Sequence, residues 1–325
     1  MKKLILLLVC MISTPLYAGI EQGITAFENR NLPLAKSILL QQNDKRYQKP
    51  LYLALIAAKD GELDEAEEYI EQAIELDAKN AEVQFTYAKI MAEQAEASSI
   101  FSLTGYIKKV KKAFIVAVEL APKNIEYRRA LIQFHLNAPS MLGGDINEAL
   151  QHAQVLKGVN ELSGTSALIQ VHGKRGDDDK FDEELKIAML NFADEPELYY
   201  QLGIYYQEKE SFSEALINFR KAANMTTSTD KQRIAKYSAV FQVGRTSLFS
   251  NSNFDEGEKA ITQYLNEAVI SSSMPSKDWA KFRLANIVEA QGKKSNAIRL
   301  YKDLVQESSD KVLQEQVKKR IKKLS

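Results

Sequence analysis

The stretch Tyr199-Tyr200-Gln201-Leu202-Gly203-Ile204-Tyr205-Tyr206, followed five residues later by Phe212-Ser213-Glu214-Ala215-Leu216-Ile217-Asn218-Phe219-Arg220-Lys221-Ala222, decides the fold. Its apolar residues recur at three- and four-residue steps, the period of a helix with one buried face. The two runs read as a pair of amphipathic helices meeting at Glu210-Ser211. Gly203 and Ala215 are small enough to let the pair approach closely, and Tyr206 and Phe219 fill the space beside them.

The pattern recurs. Leu53, Ala54, Gly61, Ala66, Ile70 and Ala73 reproduce it, as do Leu284, Ala285, Gly292, Ala297 and Tyr301. Tyr87 and Ala88 open another copy, whose second helix carries Phe114 and Ala117. The residue opening each second helix falls at Ala35, Ala66, Val110, Ala149, Phe181, Ala215, Gly257 and Ala297, at spacings of 31 to 44 residues. This arrangement resembles the tetratricopeptide repeat, a 34-residue helix-turn-helix unit. The resemblance covers everything after Gly19. It implies an all-α, right-handed superhelical solenoid of about eight units, near 19–46, 47–80, 81–124, 125–160, 161–195, 196–229, 237–271 and 278–309. In residues 310–325, Leu313, Val317, Ile321 and Leu324 share one helical face and Lys318, Lys319, Arg320, Lys322 and Lys323 cover the other. A terminal repeat lacks a neighbour, so this segment is expected to cap the array. A weak contact of its basic face with membrane or partner is the lesser alternative.

Two units depart from the pattern. The unit from 81 to 124 carries about ten extra residues around 97–106, with apolar Ile100, Phe101 and Leu103 among them, and is expected to form a longer helix or a flap over the groove. The next unit contains Ala138-Pro139-Ser140-Met141-Leu142-Gly143-Gly144-Asp145. There Pro139 ends a helix, the glycines allow positive φ, and Asp145 caps the following helix. The serines at 271–273 before Met274-Pro275 form the one expected flexible break, between units.

Composition fits a helical array. Gly and Pro number 14 and 7 in 325 residues, too few for sandwiches, barrels or Gly-rich nucleotide folds. Lys and Arg together number 43, equal to Asp and Glu, so no basic excess supports nucleic-acid binding. Met1-Lys2-Lys3, the apolar run from Leu4 to Ile12 and Ala18 have the layout of a secretory signal peptide over 1–18. The run is too short to span a bilayer of about 30 Å, which needs roughly 20 residues, and no transmembrane segment is expected. Bulky Val9 before Cys10 does not fit a lipoprotein signal. Cleavage after Ala18 would leave a cysteine-free chain, most simply in the periplasm.

No catalytic or cofactor site emerges. His135, His152 and His172 lack metal-ligand spacing, and His135 and His172 occupy aromatic packing slots. Asp177, Asp178, Asp179 and Asp182 lack the Gly and closing Glu of a calcium loop. Neither phosphate-binding nor Gly-x-Ser-x-Gly motifs occur, so no metal, no cofactor and no enzymatic activity are expected.

The resemblance implies that the first helices line a concave groove for a protein or peptide. Three residues before each small slot lie Leu51, Phe85, Arg129, Ser166, Tyr200, Phe241 and Phe282. Just after it lie Leu55, Lys89, Gln133, Gln170, Ile204, Arg245 and Asn286. Trp279 lies one turn before Phe282. The expected anchors are Leu51, Phe85, Tyr200, Phe241, Trp279 and Phe282, with Arg129 and Arg245 for carboxylates or carbonyls. Two alternatives stand beside this scaffold reading. One is a cell-wall-acting enzyme or small-ligand protein using Glu126, Glu289 and Asp145; the other is a self-associating structural solenoid.

Overall fold

The computed structural model describes residues 16–271 and 273–324. Residues 1–15, and with them Cys10 and most of the expected signal peptide, lie outside the described residues. The rest is all-α. Helix pairs follow one another as α1 (Leu16–Glu28) and α2 (Leu32–Gln41), α3 (Gln48–Lys59) and α4 (Leu63–Leu76), α5 (Ala81–Ala97) and α6 (Ile100–Leu120), α7 (Ile125–Asn137) and α8 (Ile146–Val159). Next come α9 (Glu161–Arg175) and α10 (Asp178–Asn191), α11 (Pro196–Glu208) and α12 (Phe212–Asn224), α13 (Asp230–Phe249) and α14 (Phe254–Glu267), α15 (Lys277–Ala290) and α16 (Lys294–Glu307). A last helix, α17 (Lys311–Leu324), buries Leu313 and Val317 against α16, as a cap should.

Local chemistry sets the helix starts. Asn80, Asn124, Asn160, Asp145 and Ser276 each accept a hydrogen bond from a backbone N–H of the first turn that no helical carbonyl can reach. Thr229 forms a full capping box with Gln232, which starts α13 at Asp230, ahead of the expected unit start at 237. Most turns inside the pairs use one left-handed residue: Arg30, Gly61, Gly176, Glu210, Asn251 with Asn253, and Gly292. In the two units with insertions the bend is made differently, at Ser98-Ser99 and at Pro139 with Gly143 (φ 98°). Asp145 caps α8 through Asn147 and Glu148. The expected flexible break is tied down on its C-terminal side: Met274 is buried, and the Tyr264 hydroxyl donates to the Pro275 carbonyl at 2.7 Å.

The small-residue slots close the pairs. Ala54, Ala66, Ala88, Ala117, Ala149, Ala215, Ala285 and Ala297 are fully buried. The Phe219 ring lies over Gly203, where a Cβ would stand 2.4 Å from it. Each first helix also touches the first helix one unit along: α3 meets α5, α7 meets α9, α9 meets α11, α11 meets α13 and α13 meets α15. The second helices of successive pairs meet through side-chain ion pairs, Lys36 with Glu65, Lys109 with Glu67, Lys157 with Glu184 and Arg220 with Glu256. First helices therefore form one continuous inner row and second helices the outer row of a superhelix.

One buried polar cluster has a pH consequence. Arg128 donates through Nη2 to the Pro122 carbonyl (2.7 Å), and its Nη1 lies 3.2 Å from His152 Nδ1. His135 stacks on His152 at 6.1 Å. Burial pushes both imidazoles below the usual value, with the cations Lys111 and Arg128 acting the same way. A depressed folded-state pKa means stability that is complete above about 6.5 and is lost as pH falls through the lowered value. We expect the urea midpoint to fall between pH 7.5 and 5.0, and to fall less in His135→Phe. Parallel denaturation series of the two proteins check this.

Candidate functional site

The inner row places the expected anchors in two groups. Leu51, Phe85, Phe241 and Phe282 are buried. Phe85 is stacked under Tyr127 of the next unit at 4.4 Å and touches Phe114 at 5.7 Å. Phe241 packs on Tyr264 at 5.4 Å. Phe282 sits between Trp279 (5.8 Å) and Tyr301 (6.0 Å). These side chains fill the seams within and between units, away from the open groove expected of them. Phe85 is covered by the next first helix, whereas Phe241 and Phe282 are covered by large rings of the second helix in their own pair. Trp279 is half-buried and donates through Nε1 to Asp310 Oδ2 at 3.1 Å, so it fastens the start of the cap.

The middle of the row has a different character. Arg129, Tyr200 and Arg245 remain partly exposed. Arg129 pairs with Glu197 Oε1 at 3.3 Å, and Lys231 approaches the other oxygen at 2.8 Å. Gln133 donates to Gln170 Oε1 at 2.5 Å, and Gln207 donates to Thr246 Oγ1 at 2.6 Å. Ser163, Ser166 and Gln242 keep a buried side-chain oxygen without a hydrogen-bond partner. Burial raises the Tyr200 phenol, an effect that Arg129 and Arg245 oppose.

Two guanidinium groups stand ready beside this floor. Arg245 lies over Phe249 at 4.8 Å, and Arg283 over Phe282 at 5.5 Å and Trp279 at 5.9 Å. Among the described residues neither reaches a carboxylate. Burial lowers the Arg283 pKa, and the charge of Arg245 lowers it further. The two are mutually repulsive cations that, among the described residues, have no carboxylate partner. Sequence reasoning missed Arg283 because it stands one position beyond the expected register; it also missed Ser163 and Gln242.

The two ends of the array meet. Arg30 Nη2 donates to the Ser271 carbonyl at 2.8 Å. Lys311 lies 3.5 Å from Glu62 and 3.8 Å from Asp60, and Gly61 abuts Val312, where a Cβ would stand 2.6 Å from a methyl carbon. The turns of the first two pairs thus rest on the last units, and the concave face is closed along its side. Exposed pairs of this kind contribute about 0–1 kcal/mol each, so the closure is weakly held. Arg30→Glu with Lys311→Glu is expected to enlarge the radius of gyration in small-angle scattering while helical content persists. An unchanged radius would mean that apolar contact at Gly61 holds the ends together.

Two of the groups considered for catalysis hold structural partners. Glu289 accepts from the Tyr301 hydroxyl at 2.7 Å and pairs with Arg320 at 3.3 Å, while Asp145 caps α8. Glu126 lies in the first turn of α7. A cavity of about 640 Å³ among α8, α9 and α10 holds two ion pairs, Lys157 with Glu184 and Arg175 with Asp177, and His172 Nδ1 lies 3.3 Å from the same Asp177. Among the described residues no helix is long and apolar enough to cross a membrane.

Comparison with known proteins bears on the fold. Residues 53–80 and 196–228 match the family model described as "Tetratricopeptide repeat". No curated protein sequence matches the chain. Among solved structures, the chain is similar to a tetratricopeptide repeat protein from Parabacteroides merdae, at 15% identity and a TM-score of 0.50, covering 84% of this chain and 98% of that one. It is also similar to yeast Tom70, at 15% identity and a TM-score of 0.54, covering 100% of this chain and 67% of that one. Likeness at this identity concerns the fold alone.

Proposed function

We propose that this tetratricopeptide repeat protein is a non-catalytic scaffold, holding a polypeptide in the polar middle of its concave face. The observation that carries this reading is the set of unused polar groups there. Among the described residues two ring-backed guanidiniums, Arg245 and Arg283, reach no carboxylate, and Tyr200 stays partly exposed on the same row. A polypeptide offers carboxylates and backbone carbonyls to arginine. Recognition then rests on hydrogen bonds and charge rather than on aromatic pockets.

A photo-crosslinking residue tests this. Placed at the partly exposed Tyr200 on the inner row, it should trap a polypeptide in living cells; placed at Ile217 on the outer row, it should not. Equal labelling at both positions, or none at Tyr200, would remove the groove from consideration.

The signal-peptide layout of residues 1–18 supports export, and with it a periplasmic location. Cleavage after Ala18 leaves Gly19 first and retains Ile20, which is buried against Ala35 and Leu39 of α2. Fractionation with amino-terminal sequencing checks this, the expected mature start being Gly19.

A further inference from the structure

Both departures from the repeat pattern, 97–106 and 138–145, come together on the outer row. Helix α6 is lengthened at its start, and its extra turns lie beside α4: the Tyr106 hydroxyl donates to Glu67 Oε2 at 3.2 Å and Lys109 pairs with Glu67 at 2.8 Å. This rules out a flap over the groove. From the next unit, the short 3-10 turn Ser140–Leu142 packs on α6, and Lys111 Nζ donates to the Gly143 carbonyl at 3.0 Å. Two insertions roughly forty residues apart thus build one feature.

That feature projects. Phe101 is 94% exposed, Met141 89% and Ile100 79%, and nothing approaches within 4 Å of a Cβ built on Gly105. From Ile100 to Ile107 there is no charged residue, and then come Lys108, Lys109, Lys111 and Lys112. Lys108 and Lys112 are exposed and, among the described residues, pair with no carboxylate. With Lys111, Ile115, Val116 and Leu142 they surround a cavity of about 450 Å³. Exposed apolar groups gathered in this way mark a contact surface.

We propose that this tip is a foothold on an anionic lipid surface, with Phe101, Ile100 and Met141 entering the headgroup boundary and Lys108 and Lys112 binding lipid phosphates. Dimensions support lipid. Seven residues of helix separate Phe101 from Lys108, about 10 Å at 1.5 Å per residue, so the apolar end can enter the headgroup boundary while the ammonium groups stay at phosphate depth. Shape supports it too. A protein partner would be met by a groove that receives its side chains, whereas a projecting uncharged tip with a lysine collar enters a fluid phase. The foothold is separate from the concave face, so the scaffold could hold its polypeptide close to a membrane.

The test is co-sedimentation of the purified chain with vesicles of phosphatidylcholine and phosphatidylglycerol (3:1) against pure phosphatidylcholine, at low salt. Binding to the mixed vesicles alone is expected. Lys108→Ala with Lys112→Ala should weaken it roughly thirtyfold, at about 1 kcal/mol per lysine. Phe101→Ser with Met141→Ser should abolish it while leaving net charge unchanged; these side chains are exposed, and circular dichroism should confirm an intact fold. Absence of vesicle binding, full binding by the serine variant, or loss only on mutating Lys322 and Lys323 in α17 would each overturn the proposal. A crosslinker at Phe101 that captures a polypeptide in place of lipid would overturn it in favour of a protein partner.

Discussion

Gly164→Ala is expected to be among the most damaging single methyl additions to this protein, costing about 3 kcal/mol or more. Only Asn160 separates α8 from α9, acting as the C-cap of one and the N-cap of the other. The two helices consequently cross at backbone contact. A Cβ on Gly164 would stand 2.0 Å from Lys157 Cα and 2.1 Å from its backbone nitrogen. Neither atom can rotate away, so the helices must separate. Gly203→Ala gives the comparison. There the nearest atoms belong to the Phe219 ring, at 2.4 Å, and a ring can tilt at a cost of roughly 1–2 kcal/mol. Urea denaturation of both variants, with hydrogen exchange across α8 and α9 to localise the loss, checks the ranking. A smaller loss in Gly164→Ala than in Gly203→Ala would show that the α8–α9 crossing yields more easily than its geometry requires.

The second large effect concerns binding. Arg129→Ala with Arg245→Ala should reduce recovery of the polypeptide trapped at Tyr200 at least about thirtyfold, since central arginines of an interface commonly contribute about 2 kcal/mol or more when truncated. Folding should survive. Both side chains are partly exposed, and Glu197 keeps Lys231 as a counter-ion after Arg129 is removed. The conservative pair Arg129→Lys with Arg245→Lys should recover only part of the binding, because an ammonium lacks the planar fork and stacks poorly on Phe249. Undiminished recovery with the alanine pair would place the partner elsewhere on the row.

Why the repeat was legible and the site was not can be traced to particular residues. Gly203 and Phe219 lie sixteen positions apart and belong to one helix pair, so local periodicity already brings them together. Leu313 and Val317 of the cap followed from the same reasoning. Phe85 and Arg129 occupy identical places in their units, yet one is buried under Tyr127 and the other reaches Glu197. Which outcome occurs depends on which side chains other helices bring to that place, from the next first helix for Phe85 and from two units on for Arg129. The periodicity of one unit carries no information about that. Arg283 escaped notice for a related reason: its neighbour Phe282 turned inward, leaving the arginine to face the row.

The sequence alone determined the helical class, the repeating pair and the places where the pattern is interrupted. These follow from apolar spacing and from small residues that permit close approach, both short-range properties of the chain. Tertiary structure alone decided which inner-row residues remain available, that the array closes through Arg30 and Lys311, and that two interruptions meet at Lys111 and Gly143. Those outcomes depend on the small rotation between successive units, summed over the whole array, and on side chains of separate units competing for the same space.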